Sequence, residues 1–207
     1  MVDITNNEIN IKATIKYLND NLSTEDKQNL SNYMNSITKK LKGDGAGLSS
    51  GLFIDMLLCE FLSNKLDKCE EYHNGECDIK INDINFSLKK INGKSLLALD
   101  WSKNNNENTT KDIFTHNIIL INTKTCQWWK KNSNIDYTKT IKSGIYIINK
   151  DYCKENIKLS SNNKSNSIIT HQNVYKMIIN SIESSTYIEI PEPNKELKFS
   201  LIKCFSN

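Results

Sequence analysis

The segment from Cys77 to Ser102, CDIKINDINFSLKKINGKSLLALDWS, constrains the fold more than any other part of the chain. Apolar and polar residues alternate along it, which is the period of a half-buried β-strand. Turn-forming pairs interrupt the alternation at Asn82-Asp83 and at Asn92-Gly93. We therefore expect three short strands that form an antiparallel meander.

The second strand of this meander, at about Ile84 to Ile91, presents two chemically different faces. Side chains of a strand point alternately to opposite sides, so Asn85, Ser87, Lys89 and Ile91 share one face. The opposite face carries Ile84, Phe86, Leu88 and Lys90. Asp78 opens the preceding strand, and the short connection brings its carboxylate to within a few ångströms of the Lys89 ammonium. The sequence thus predicts an acid and a lysine side by side on one sheet surface.

This arrangement resembles the core of the PD-(D/E)XK nucleases, the superfamily that includes the type II restriction endonucleases. In that resemblance Asp78 matches the invariant Asp, Ser87 the variable acidic position and Lys89 the catalytic Lys. The phrases SLKKINGKS and LALDWSKN are similar to ones found in type II restriction enzymes, and the likeness covers Gly47 to Asn104.

The resemblance implies a restriction-endonuclease-like α/β fold, with a mixed sheet flanked by helices. It also implies a Mg²⁺-dependent, site-specific deoxyribonuclease that cleaves double-stranded DNA as a homodimer. A cognate DNA methyltransferase would belong to the same system.

Two residues depart from the family pattern, and both concern the metal site. Cys77 precedes Asp78 where the family has Pro, and Ser87 stands in the acidic position. Some members of the family also have Ser in this position, and the resemblance implies that a carboxylate from elsewhere then replaces the missing metal ligand. The candidate metal ligands are Asp78, Asp55 and Glu60 on an upstream helix, Asp100 on the third strand, and the backbone carbonyl of Leu88.

The length of 207 residues suits one domain with a substantial core. We expect a single nuclease domain with a helical part at 1–66, a catalytic sheet at 77–149 and a C-terminal part at 150–207 that includes DNA contacts. No stretch reaches about 18 apolar residues and the first residues do not form a signal pattern, so a cytoplasmic protein is expected.

The basic residues are all lysines, 27 in number, and the formal net charge is only +3. Without Arg, base recognition has to use Lys, Asn, Gln, Ser or Thr, and Asn and Gln pair best with adenine. Net charge alone says little about nucleic acid, since the clustering of lysines decides binding. The candidate DNA contacts are Lys90, Lys103, Asn104, Lys130, Lys131, Asn162, Asn163 and Lys164.

The remaining elements follow from apolar periodicity and from breaking residues. We expect a helix at Ile9 to Leu22 and a second helix that begins after a Ser23 cap. Two more are expected at Ser50 to Leu66 and at Gln172 to Ser184. Strands are expected at His116 to Asn122, Gly144 to Asn149, Thr186 to Ile190 and Leu197 to Phe205. The glycine-rich Gly43 to Gly51 is expected to be a loop, and Thr123 to Lys131 a helix or turn.

Other interpretations stay open at this stage. An Asp and a Lys on adjacent strands are often a surface pair worth less than about 1 kcal/mol. The chain could be a non-catalytic nucleic-acid-binding or regulatory protein in which Ser87 marks a decayed site, or a repair or junction-resolving nuclease of the same fold. The six cysteines are scattered and expected to be reduced. Cys69, His73 and Cys77 match no common zinc module, so ordinary thiols are favoured over a zinc site.

Overall fold

A computed structural model of the chain describes residues 4–40, 46–63, 66, 68–71, 77–91, 116–127, 140–157 and 171–194. Within these residues, none of the helices combines the length and the apolar composition that crossing a membrane requires. The architecture is mixed α/β, as expected: a six-stranded mixed sheet has helices on both of its faces.

Three helices come first in the chain. They are α1 (Ile4–Asn21), α2 (Thr24–Lys40) and α3 (Ala46–Ser63). Helix α2 begins as the sequence predicts: the Asp26 N–H donates to the Ser23 Oγ, and the Ser23 N–H donates back to the Asp26 carboxylate, both at 3.0 Å. This reciprocal pair satisfies two N–H groups that a helix start otherwise leaves without partners.

Helix α3 corrects one prediction, because it starts four residues before the expected Ser50. The segment from Ala46 onward is helical, so the expected loop from Gly43 to Gly51 is wrong over its last six residues. Glycine in a helix costs about 1 kcal/mol relative to Ala, and tertiary context routinely overrides so small a preference. The remainder, 43–45, is outside the described residues.

The strands are β1 (Cys69–Glu71), β2 (Ile79–Ile81), β3 (Ile84–Ile91), β4 (Asn117–Asn122), β5 (Cys126–Gln127), β6 (Thr140–Ile141), β7 (Gly144–Ile148) and β8 (Tyr187–Glu189). The main sheet has the order β1-β2-β3-β4-β7-β8, and β5 pairs with β6 in a small second sheet. The β3–β4 pair is parallel and the other pairs are antiparallel. The expected helix or turn at Thr123 to Lys131 is therefore wrong at β5, which forms a short strand by pairing with distant residues.

The first hairpin of the expected meander is confirmed. Asn82 and Asp83 connect β2 to β3 with φ angles of 47° and 66°. Two successive positive φ values are the mark of a type I′ turn, whose twist matches that of the flanking strands. Ile81 then pairs with Ile84, and Ile79 with Phe86. The expected third strand, after Asn92-Gly93, lies outside the described residues, as does the strand at Leu197 to Phe205.

Each face of the sheet has its own apolar core. The first core joins α1–α3 to the sheet face of Ile79, Phe86, Leu88, Ile119 and Ile147. The second lies under α4 (Lys150–Asn156) and α5 (His171–Glu183) and contains Ile118, Leu120, Tyr146, Ile148 and Val174. Because successive residues of β4 enter different cores, the strand is buried on both sides, as its continuous apolar sequence indicates.

Candidate active site

Asp78 lies where β2 and β3 separate. The regular ladder ends at the Ile79–Phe86 pair, and the Asp78 N–H donates to the Phe86 carbonyl at 3.0 Å. Ile79 is fully buried in the first core, so Asp78 points to the other face of the sheet, where its side chain is 34% exposed. Strand β3 continues past this point, paired with β4 alone among the described strands. The carboxylate thus stands beside a stretch of β3 that β2 does not cover.

Three groups of β3 converge on one oxygen of this carboxylate. The Leu88 N–H donates to Asp78 Oδ2 at 2.6 Å, and the Ser87 hydroxyl donates to the same atom at 3.1 Å. The Lys89 Nζ lies 3.9 Å from it. Hydrogen bonds to an ionised acceptor are shorter and stronger than neutral ones, which suits the short Leu88 bond. All described contacts of the Asp78 side chain fall on Oδ2.

Lys89 shares this face because it lies two residues beyond Ser87. Its side chain is 28% exposed, and its Cα partner across the parallel pair is Leu120, a residue of the second core. The aliphatic stem therefore leaves the strand next to apolar groups while the ammonium reaches the carboxylate. A partly exposed pair at 3.9 Å contributes less than about 1 kcal/mol to stability. The small contribution to protein stability therefore gives little reason for the presence of the Asp78–Lys89 pair.

Lys90 is placed on the other side of the sheet, as the alternation predicts. Its Nζ donates to the Met34 carbonyl of α2 at 2.9 Å. Burial lowers the pKa of Lys90 from its usual value to about 8. In this placement Lys90 serves the contact between the sheet and α2 and does not share a surface with Asp78, so its expected role in DNA binding gains no support.

The two acids on α3, Asp55 and Glu60, do not form a three-residue metal-binding group with Asp78 among the described residues. Ile54, Leu58 and Leu62 anchor α3 in the first core, on the face opposite to Ser87 and Lys89. Among the described residues, no three His, Cys, Asp or Glu side chains form a group that could hold a metal ion. The choice of Asp55 or Glu60 as a ligand thus stays a prediction.

The other expected site residues fall outside the described part of the chain. These are Asp100, Lys103, Asn104, Lys130, Lys131, Asn162, Asn163 and Lys164. His73 is also outside it, and the described cysteines Cys59, Cys69, Cys77 and Cys153 are not joined in disulfides. The expected contact of Asp100 with a metal, and those of the lysines and asparagines with DNA, stay predictions.

The sequence did not indicate one member of the site, the backbone N–H of Leu88. No side-chain pattern marks a backbone donor. The unequal lengths of β2 and β3 were a signal. Where a strand extends beyond its partner, its N–H and C=O groups on that side lack ladder partners. In Leu88 that N–H is satisfied by Asp78.

Comparison with known proteins gives a likeness of fold. No family model matches the sequence, and no curated protein matches it. A solved structure described as a restriction endonuclease in complex with substrate DNA matches with a TM-score of 0.58. The identity is 18%, and the match covers 92% of this chain and 95% of that chain. The chain therefore has a fold similar to that of a restriction endonuclease over nearly its whole length.

Proposed function

We propose that the chain is a Mg²⁺-dependent endonuclease that hydrolyses phosphodiester bonds of double-stranded DNA. More specifically, we propose a type II restriction endonuclease with a PD-(D/E)XK core. The observation that carries the proposal is the position of Asp78 and Lys89 on one sheet face, 3.9 Å apart, within a fold similar to that of a restriction endonuclease. Fold alone does not determine function, so this pair of residues is the basis of the proposed activity.

The oxygen donors around Asp78 are suited to Mg²⁺. Asp78 Oδ2 is occupied by donors from β3, and Oδ1 has no described contact, so Oδ1 is the oxygen proposed to bind the cation. The N–H and C=O of one strand residue leave on the same side, so the Leu88 carbonyl is directed toward the Asp78 side and suits a second ligand. A further carboxylate is proposed from Asp100, Asp55 or Glu60. Mg²⁺ would supply positive charge that polarises the phosphate and lowers the pKa of water.

Lys89 is proposed to act on the reacting groups and not on the cation. A phosphodiester gains negative charge on its oxygens as water attacks, and a nearby ammonium stabilises that charge. The same ammonium can hold the attacking water by a hydrogen bond, which fixes its direction of approach. Since the contact with Asp78 is longer than a hydrogen bond, a small side-chain rotation is enough to redirect the ammonium.

DNA as the substrate is supported by the description of the similar structure, a restriction endonuclease in complex with substrate DNA. For this chain we propose binding of duplex DNA at a short specific site, action as a homodimer and a cognate methyltransferase partner. The lysines and amides named from the sequence are the proposed contacts. Their chemistry suits phosphates and adenine edges.

Digestion of fully sequenced plasmid and phage DNA tests the proposal. Purified protein is incubated with each DNA in Mg²⁺, and in EDTA as the matched control, and the ends of all fragments are mapped. We expect discrete fragments that share one sequence at their ends, in Mg²⁺ only. Retardation of DNA without cleavage in any metal would favour a non-catalytic DNA-binding protein. Cleavage of branched DNA alone would favour a junction-resolving nuclease.

A further inference from the structure

The described hydrogen bonds of the Asp78 carboxylate fall on one of its two oxygens, and Ser87 donates one of them. Its Oδ2 atom accepts from both the Ser87 hydroxyl and the Leu88 N–H, which come from adjacent residues of one rigid strand. Rotation of a carboxylate about its last torsion is normally soft and nearly two-fold. Two donors on one oxygen remove most of that freedom. The orientation of Oδ1 is thereby set by the backbone and side chain of β3.

We infer that Ser87 is a positioning residue that orients Asp78 toward the cation and is not a metal ligand itself. The inference rests on the proposed function and deepens it, because it assigns a role to the residue that stands where the family has an acid. Its hydroxyl proton is donated to Asp78, and a neutral hydroxyl is a weak ligand for Mg²⁺ beside a carboxylate. Ser87 therefore acts on the cation through Asp78.

The single Leu88 bond that remains without Ser87 does not define the carboxylate plane. One donor fixes the distance to Oδ2 but permits rotation about the line of the bond, so Oδ1 would sample several directions. Groups that hydrogen-bond a ligating carboxylate typically contribute about 10-fold to 100-fold to metal affinity or activity. Loss of the Ser87 hydroxyl should therefore weaken metal binding through Asp78.

Ser87→Ala and Ser87→Thr separate the hydroxyl from the shape of the side chain. Threonine keeps the hydroxyl and suits a strand, whereas alanine removes the donor. Asn85→Ala is the matched control, because Asn85 lies on the same face of β3 two residues earlier and has no described contact with Asp78. Binding of Mn²⁺, measured by electron paramagnetic resonance on the protein without DNA, is the readout that does not require cleavage. Thermal unfolding without metal verifies that each variant is folded.

We expect Ser87→Ala to bind Mn²⁺ about 10-fold more weakly than wild type. In cleavage it should need correspondingly more Mg²⁺ for half-maximal rate, with a nearly unchanged rate at saturation. Ser87→Thr should restore wild-type binding, and Asn85→Ala should resemble wild type.

Two results would overturn the inference while the proposed function stands. One is that Ser87→Ala binds Mn²⁺ as tightly as wild type does. The other is that Ser87→Thr binds Mn²⁺ as weakly as Ser87→Ala does. In both cases the wild-type protein itself cleaves DNA. A wild-type protein that neither binds Mn²⁺ nor cleaves DNA would overturn both the inference and the proposed function.

Discussion

Lys89 and Lys90 are adjacent residues of β3, and their side chains therefore lie on opposite faces of the sheet. Lys89 reaches the partly exposed carboxylate of Asp78, and Lys90 reaches the Met34 carbonyl on the opposite face. Both carry the same charge, but they are solvated differently. Burial makes the charged form of Lys90 costly, which is the cause of its lowered pKa, about 8.

Replacement of Lys90 by Met should stabilise the protein near neutral pH. The pKa of about 8 in the folded protein lies below the ordinary value of 10.5, so the unfolded chain binds more protons between these two pH values. The contribution of Lys90 to the free energy of unfolding is therefore lowest below pH 8 and rises as the pH approaches 10.5. We expect Lys90→Met to gain about 1 to 3 kcal/mol near pH 7, because an apolar side chain avoids the burial of a charge.

Urea unfolding of both proteins at several pH values measures this difference. The advantage of Lys90→Met should shrink steadily as the pH is raised from about 8 to about 10. An advantage that does not change with pH would mean that Lys90 is not buried as a charged group in the folded protein.

At the residue scale the sequence predicted the part of the site that depends on local geometry. The period of two placed Ser87 and Lys89 on one face, and the short turn placed Asp78 beside them. The acid proposed as a further metal ligand could not be predicted in this way, because it would come from another element. Its position depends on how that element packs, and spacing along the chain does not contain that information.

At the scale of secondary structure, elements with a regular apolar repeat were predicted well, and several short ones were missed. Helix α5 and strands β4 and β7 lie within one residue of their expected bounds, since their apolar residues repeat regularly, whereas α1 begins five residues before its expected start. Helix α4 was missed because seven residues give less than two full repeats of the pattern. The parallel pairing of β3 with β4 could not be predicted locally, because it joins distant segments.

The hairpin that positions the site has a turn that can be improved. Asp83 adopts a φ of 66°, which costs a residue with a Cβ more than it costs glycine. Asn-Gly is the preferred pair in a type I′ turn. Asp83→Gly should therefore stabilise the protein by up to about 1 kcal/mol, even though it removes the exposed ion pair with Lys80, because such pairs contribute little.

Chemical denaturation of Asp83→Gly and of Asp83→Ala measures the effect of φ. Alanine removes the same ion pair but keeps the Cβ, so it should be less stable than both glycine and wild type. A glycine variant less stable than the alanine variant would show that the turn does not have the described conformation.

At the scale of the whole molecule, this chain shares its fold with the similar structure but few of its residues. An identity of 18% leaves few common residues, yet the match extends over 92% of the chain. A sheet with an apolar core on each face needs apolar residues at the right period and does not need particular ones. The fold can thus persist while the site residues decide the activity.

DNA binding by the whole protein should depend strongly on salt. Each phosphate neutralised by a lysine releases counterions, so affinity falls steeply as salt concentration rises. If several lysines contact the backbone, raising salt from about 50 mM to about 200 mM should weaken binding of duplex DNA by orders of magnitude. Fluorescence anisotropy with a labelled duplex measures this, and affinity that is insensitive to salt would contradict a lysine-based DNA surface.

The most direct test of the central claim compares the cleavage rate of wild type with that of Lys89→Ala on DNA that contains the mapped site, in Mg²⁺. Lys80→Ala is the matched control, because it removes a lysine from the same sheet face on the neighbouring strand. We expect Lys89→Ala to cleave at least about 100-fold more slowly at saturating DNA, while it folds and still binds metal. Asp78→Ala should lose both cleavage and metal binding, and Lys80→Ala should retain the wild-type rate. Cleavage by Lys89→Ala at the wild-type rate would contradict the assignment of this sheet face as a nuclease active site.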